Sequence, residues 1–264
     1  MKNGNERVAI CTGAGRGLGR AVAIGLATAG YRVTITAAAH KEEIAAVAAA
    51  APTGTVLPLI ADVSDPAACE YVVQETEAKL GIPSVLINNA GRGMRFVSEQ
   101  FATEPTKFWE TGADVWRMII DTNVNGPFYM ARCVVPLMLK NGWGRIVNIS
   151  MNHETMRREG FSPYGPSKAA LESETAIWAQ DLNGTGITVN ALLPGGASDT
   201  GMLPANLPVS LRSRLLQPEI MVPPLLWILS DEANEFTGKR INAALWHSDA
   251  AEPQNSIAVE PAGF

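Results

Sequence analysis

Tyr164 and Lys168 stand four residues apart. On a helix they share one face, which brings an ammonium beside a phenol. Free tyrosine releases its proton only near pH 10. A neighbouring positive charge favours the phenolate and pulls that value down, toward the range where general acid–base catalysis operates. A second chemical signature lies near the start, in Thr12-Gly13-Ala14-Gly15-Arg16-Gly17-Leu18-Gly19. Glycines between a strand and a helix let the main chain turn tightly and approach a pyrophosphate, whose charge then faces the helix N-terminus. A plain strand–helix turn would read similarly, but this one heads a regular array of strands and helices.

That array must position both groups. Short apolar runs rich in β-formers occur at Val8–Thr12, Arg32–Thr36, Val56–Ile60, Ser84–Asn88, Arg145–Ser150 and Thr188–Leu193, with a weaker one at Ile241–Trp246. Between them lie stretches of helical character at Gly17–Ala29, Lys41–Ala51, Pro66–Leu80, Asp114–Lys140 and Ser167–Leu182. Alternation at this spacing predicts βαβ units. Runs that are continuously apolar predict a parallel sheet covered on both faces. The expected fold is therefore α/β, a doubly wound parallel sheet in three layers, as one domain over residues 1–264. Ser162 is the cap candidate for the helix carrying Tyr164. Two irregular segments, 92–112 and 195–217, fall after strand ends, where open α/β sheets bind ligands. The first carries Phe96, Phe101, Phe108 and Trp109, suited to an apolar wall, a lid or a subunit contact.

Composition sets the outer limits. The chain has 264 residues, 47% hydrophobic and 18% charged, which excludes a disordered protein. Lys and Arg total 21 against 26 Asp and Glu, for a net charge of −5. That balance argues against nucleic acid or an anionic membrane as partner. Cys11, Cys69 and Cys133 are widely spaced, Cys11 reading as a core residue. The polar start Met1–Arg7 lacks the apolar stretch of a secretory signal. A cytoplasmic protein is expected. His40, His153 and His247 have no metal-ligand spacing, so no metal is predicted.

The glycine loop, Asp62-Val63, Asn88-Asn89-Ala90-Gly91, Asn123-x-x-Gly126, Tyr164-x-x-x-Lys168 and Pro194-Gly195 follow in an order and at intervals that resemble the short-chain dehydrogenase/reductase family in its single-domain form. The resemblance implies a Rossmann fold and a nicotinamide cofactor. Gly13, Arg16, Gly17, Leu18 and Gly19 would form the phosphate loop, with Asp62 and Val63 against the adenine. Asn89, Ala90 and Gly91 would line the ribose and nicotinamide, Asn89 also serving as a structural bridge. Pro194, Gly195 and Thr200 would meet the nicotinamide end, though one extra residue leaves Asp199 an alternative to Thr200. Tyr164 would move the proton, Lys168 would tune it and hold the ribose, and Asn123 would anchor a relay water. The end of the second strand reads Ala37-Ala38-Ala39, without the carboxylate typical of NAD binders. Arg16, with His40 and Lys41 nearby, favours NADP(H) over NAD(H).

One family position departs. The serine that polarises the substrate oxygen normally stands thirteen residues before the tyrosine, and here that place is Met151. A thioether has no proton to donate, and losing one such donor typically costs roughly 10²–10³ in rate. Three readings stay open. Ser150 or Asn152 substitutes as donor; the substrate needs less polarisation or is polarised by another group; or the site is impaired. His153-Glu154 and Arg157-Arg158 follow Met151 and are expected near the substrate mouth, as a solvated loop or facing inward.

The expected activity is NAD(P)-dependent interconversion of a secondary alcohol and a ketone or similar carbonyl, on a small-molecule substrate. The alternative is a cofactor-binding protein without turnover. A non-redox epimerase or dehydratase is disfavoured, because the tail after His247 is too short for a substrate region. The resemblance also implies a homotetramer or homodimer.

Overall fold

The computed structural model describes residues 7–204, 212–247 and 252–263. Seven strands run parallel: β1 (Val8–Cys11), β2 (Arg32–Ala37), β3 (Val56–Ile60), β4 (Pro83–Asn88), β5 (Gly144–Ile149), β6 (Ile187–Leu193) and β7 (Lys239–Asn242). An eighth, β8 (Val259–Pro261), pairs antiparallel to β7. All eight form one sheet in the order β3-β2-β1-β4-β5-β6-β7-β8. Its edge strands β3 and β8 contain Pro58 and Pro261. The expected α/β doubly wound architecture is what the structure shows.

Helices cover both faces. On one side lie α1 (Gly17–Thr28) and α2 (Lys41–Ala50), where Val22, Leu26 and Ile44 are buried against Val33 and Ile35 of β2. On the other lie α3 (Pro66–Lys79), α4 (Ala113–Ile120), α5 (Gly126–Asn141), α6 (His153–Met156) and α7 (Tyr164–Asp181), where Val72, Val134 and Ala179 pack on Ile10, Leu86 and Val189. The last helix, α8 (Val222–Ile228), returns to the first side through Leu225 and Ile228. Each fully buried Val, Leu or Ile contributes about 1.5–3 kcal/mol, so these two cores hold the layers together.

The structure corrects four boundaries. The single helix expected over Asp114–Lys140 is interrupted by a π-helical turn at Asp121–Asn125. The helix expected from Ser167 begins at Tyr164, and its cap position is Pro163 rather than Ser162, with no side-chain cap bond. The run expected at Ile241–Trp246 gives only the short β7, followed by a 3-10 turn at Ala243–Leu245. His153–Met156, read as loop, forms the one-turn α6. Neither β8 nor α8 was expected from the sequence.

The sheet order reverses between β1 and β4. Connections leave toward opposite faces at such a point, and the carboxyl ends of the two strands open a crevice. The glycine loop follows β1 and Asn89-Ala90-Gly91 follows β4, so both border it.

Candidate active site

The crevice floor is tied together by Thr12 and Asn89. Thr12 Oγ1 accepts from the main-chain N–H groups of Asn89 at 3.1 Å and Ala90 at 3.0 Å. Asn89 Nδ2 donates back to the carbonyls of Thr12 at 2.8 Å and Gly13 at 2.9 Å. Gly13 (φ +63°) packs so tightly that a Cβ there would lie 2.6 Å from Ala90 Cα. Gly17 (φ +56°) meets Thr200, whose Cγ2 would be 2.9 Å from a Cβ. Thr200 thus reaches the loop from the far side of the crevice. No side chain caps α1, which leaves the first-turn N–H groups for a ligand. This glycine cradle fits a dinucleotide pyrophosphate.

Asp62 follows β3. Burial pushes its carboxyl up, but hydrogen bonds from Ser64 and the charge of Arg92 outweigh that and leave it below the usual carboxylate value. Arg92 Nη2 donates to Asp62 Oδ2 at 3.0 Å, so residue 92 closes the crevice beside the acid. Arg16 is exposed and lies 3.6 Å from Glu43 of α2. His40 takes a left-handed conformation (φ 61°) at the entry to α2.

Tyr164 and Lys168 lie on consecutive turns at the start of α7. Lys168 is buried, and its Nζ donates to the Ile149 carbonyl at the end of β5 at 2.7 Å. Burial lowers its pKa to about 8, partly offset by the negative Glu172 one turn further on. Burial also raises the Tyr164 phenol to about 12. The ammonium was expected to pull that phenol down. In this structure desolvation dominates, and the amine is engaged by a carbonyl.

Asn123 sits in the π-helical turn. Its Nδ2 donates to the Arg92 carbonyl (3.0 Å) and Ser167 Oγ (2.9 Å), while its Oδ1 accepts from Arg92 N (2.8 Å). Ser167 in turn donates to the Tyr164 carbonyl at 2.7 Å. A chain of bonds therefore joins the crevice edge at Arg92 to the base of the Tyr164 turn.

Met151 follows β5. Ser150 gives its one hydroxyl proton to the buried Glu172 Oε1 at 2.5 Å, so it is committed away from any substrate. Asn152 gives an amide proton to the Gly195 carbonyl at 2.9 Å. Asn152 is thereby fastened to the segment after β6. That segment carries Met202, whose Sδ lies 3.9 Å from the Tyr164 hydroxyl. Arg95 donates to the Gly201 carbonyl at 2.7 Å and pairs with Glu99, linking the 92–112 segment to the same rim.

The 92–112 segment also docks onto the approach to Tyr164. Thr106 Oγ1 donates to the Gly160 carbonyl at 2.8 Å, Lys107 pairs with Glu159 at 3.3 Å, and Phe101 packs edge-on against Phe161. Phe101 thus packs against the approach to Tyr164, whereas Phe108 and Trp109 meet edge-to-face and stay exposed. The 195–217 segment is described up to Pro204 and again from Arg212; its middle lies outside the described residues.

The family model for short chain dehydrogenase matches residues 7–208. The chain belongs to that family. This short-chain dehydrogenase is 34% identical over 246 residues to an acetoacetyl-CoA reductase of Shinella zoogloeoides, covering 90% of this chain and 97% of that one. It is 32% identical over 249 residues to a 3-oxoacyl-(acyl-carrier-protein) reductase of Pseudomonas aeruginosa, covering 89% and 94%. Its fold matches the crystal structure of a 3-ketoacyl-(acyl-carrier-protein) reductase of Brucella melitensis complexed with NADH, at TM-score 0.76 and 27% identity over 88% of this chain and 93% of that one. The protein is an NAD(P)-dependent oxidoreductase acting between CH–OH and C=O groups on a small molecule. Among the described residues no helix is long and apolar enough to cross a membrane.

Sequence reasoning missed Arg92, Ser167 and Glu172 as partners of the candidate site residues. Ser167 had a local signal, because it lies between Tyr164 and Lys168 on one turn. The others reach their partners only through the fold.

Proposed function

We propose that this dehydrogenase is an NADP(H)-dependent carbonyl reductase in which Tyr164 is the proton donor and acceptor. The observation that supports this reading is the Tyr164 hydroxyl 3.9 Å from Met202 Sδ, two residues beyond Thr200, which packs on Gly17 of the glycine loop, with Lys168 one turn along the same helix. When bound, the nicotinamide supplies or takes the hydride. Gly13, Arg16, Gly17, Leu18 and Gly19 would hold its phosphates, Asp62 and Val63 the adenine side. Asn89, Ala90, Gly91, Pro194, Gly195 and Thr200 would line the rest. Lys168 would hold the ribose and, on ionisation, favour the phenolate; Asn123 keeps the Tyr164 turn in place and would support a relay water.

With the Ser150 proton on Glu172, Tyr164 and the second amide N–H of Asn152 are the donors left to meet the substrate oxygen. A carbonyl activated by its own neighbours suits such a site. 3-Oxoacyl thioesters, which the names of the relatives specify, therefore head the substrate panel. The test is cofactor oxidation across that panel. Wild type should turn over and Tyr164→Phe should lose at least about 10²-fold in kcat; equal rates would overturn the assignment.

NADP(H) preference rests on Arg16 and on the absence of a carboxylate at residues 37–39. Glu43, 3.6 Å from Arg16, supports the opposite preference, because a carboxylate there suits a free ribose hydroxyl. Arg16→Ala should raise KM for NADPH about tenfold and leave NADH unchanged; equal effects on both would favour NAD(H). The chain would act as one domain in the cytoplasm, as a homotetramer or homodimer, with 92–112 and 195–217 as substrate-side segments. Exposed Trp116, Phe128 and Ile177 on α4, α5 and α7 support that assembly.

A further inference from the structure

Three consecutive residues at the end of β5 are each held by a different buried charged side chain. The Ile149 carbonyl accepts from Lys168 Nζ at 2.7 Å. The Ser150 hydroxyl donates to Glu172 Oε1 at 2.5 Å. The Met151 carbonyl accepts from Arg240 Nη2 at 2.7 Å. Lys168 and Glu172 project from successive turns of α7, and Arg240 projects from β7.

Glu172 and Arg240 also hold each other, with Nε 3.2 Å from Oε1. Glu172 is 0% exposed and Arg240 4% exposed. Buried charges are expensive unless every donor and acceptor is matched, and here the matching is extensive. Arg240 Nη1 donates to Glu260 Oε2 at 3.0 Å and lies 3.1 Å from His153 Nδ1. Glu172 Oε2 accepts from Gly263 N at 3.3 Å. The cluster thus joins β5, α6, α7, β7 and β8 at one point, directly behind Met151.

A hydrophobic cluster of that volume would hold these elements together at least as well. What a planar guanidinium and a carboxylate add is direction. They fix the main chain at 150–153 in register with the helix that carries Tyr164 and Lys168. We infer that Glu172 and Arg240 are positioning residues, which set the substrate-side rim at Met151–His153 against the Tyr164 hydroxyl and couple that rim to β8. The inference rests on the carbonyl-reductase reading for its kinetic consequence, and on geometry alone for its structural one.

Both are tested in Arg240→Lys, Glu172→Gln and the milder Ser150→Ala and Glu260→Gln. Lysine keeps the charge but cannot serve Glu172, Glu260 and the Met151 carbonyl together. Amide hydrogen exchange of the 149–156 segment should accelerate at least tenfold in Arg240→Lys, with β4 unchanged. Ser150→Ala, which removes a single hydroxyl, should show the same pattern more weakly. In the carbonyl assay the substrate KM should rise about tenfold or more, while the NADPH dissociation constant, read by cofactor fluorescence, stays within about threefold. A uniform rise in exchange, or a lowered melting temperature with KM unmoved, would reduce the cluster to a structural role and overturn the inference. Absence of turnover in wild type would count against the reductase reading alone, since the exchange comparison stands without a substrate.

Discussion

A thioether at residue 151 has no proton to donate, Ser150 gives its only one to Glu172, and Asn152 gives one of its two to Gly195. Met151→Ser should therefore raise kcat on carbonyl substrates, by roughly ten- to a hundredfold if the new hydroxyl recovers part of the usual 10²–10³. Steady-state rates of the two proteins on one panel decide this. An unchanged kcat would mean that another group already polarises the carbonyl. The gap itself was legible, because it depends only on counting back from Tyr164. The fates of Ser150 and Asn152 were not. Alternation along a strand places Ser150 on the opposite face from residue 151, but that its partner there is a buried carboxylate follows from α7 packing on β5. Arg240, 89 residues from Met151, lies beyond the reach of any local pattern.

At the scale of elements, α7 does two things at once, presenting Tyr164 and Lys168 at its start and burying acids along its length. Glu174 is mostly buried, its Oε2 has no hydrogen-bond partner, and desolvation raises its pKa from 4.5 to about 7. The folded state therefore holds a proton between pH 4.5 and 7 that the unfolded chain releases. Stability linked to this group is fully present below pH 4.5, is lost as pH rises through 7, and stays lost above it. Glu174→Gln should raise the melting temperature by several degrees at pH 8 and change it little at pH 4.5. Equal shifts at both pH values would exclude the mechanism.

Gly165 tests how α6 and α7 fit together. A Cβ there would fall 2.1 Å from the Met156 carbonyl oxygen. Gly165→Ala should therefore push α6 away from the Tyr164 turn and cut kcat by about 10²-fold, the order expected for a 1 Å misplacement. The check is kcat beside NADPH affinity, which should hold. Most elements were legible, since continuous apolar strands and helical stretches alternate at βαβ spacing. Failures have separate causes. Pro223 and Pro224 look like breakers but occupy the first turn of α8, where proline fits. The strand β8 has three residues, too few for a pattern. The π-helical turn lies inside an unbroken helical stretch, and no residue type announces it.

For the whole molecule, three of the exposed apolar side chains sit on helices of one face, α4, α5 and α7. Trp116, Phe128 and Ile177 are 40%, 47% and 51% exposed. Light scattering should give a mass that is a multiple of 28.1 kDa, and Phe128→Glu should shift it toward the monomer; a monomeric wild type would remove the proposed assembly. The two prolines at the margins of the sheet bear on the same question. A proline in an edge strand turns its missing N–H toward the open side, so neither Pro58 nor Pro261 can donate to an incoming chain. Each edge thus lacks one donor that an added strand would use. Both edges are thereby poorer templates for adding strand to strand into fibres.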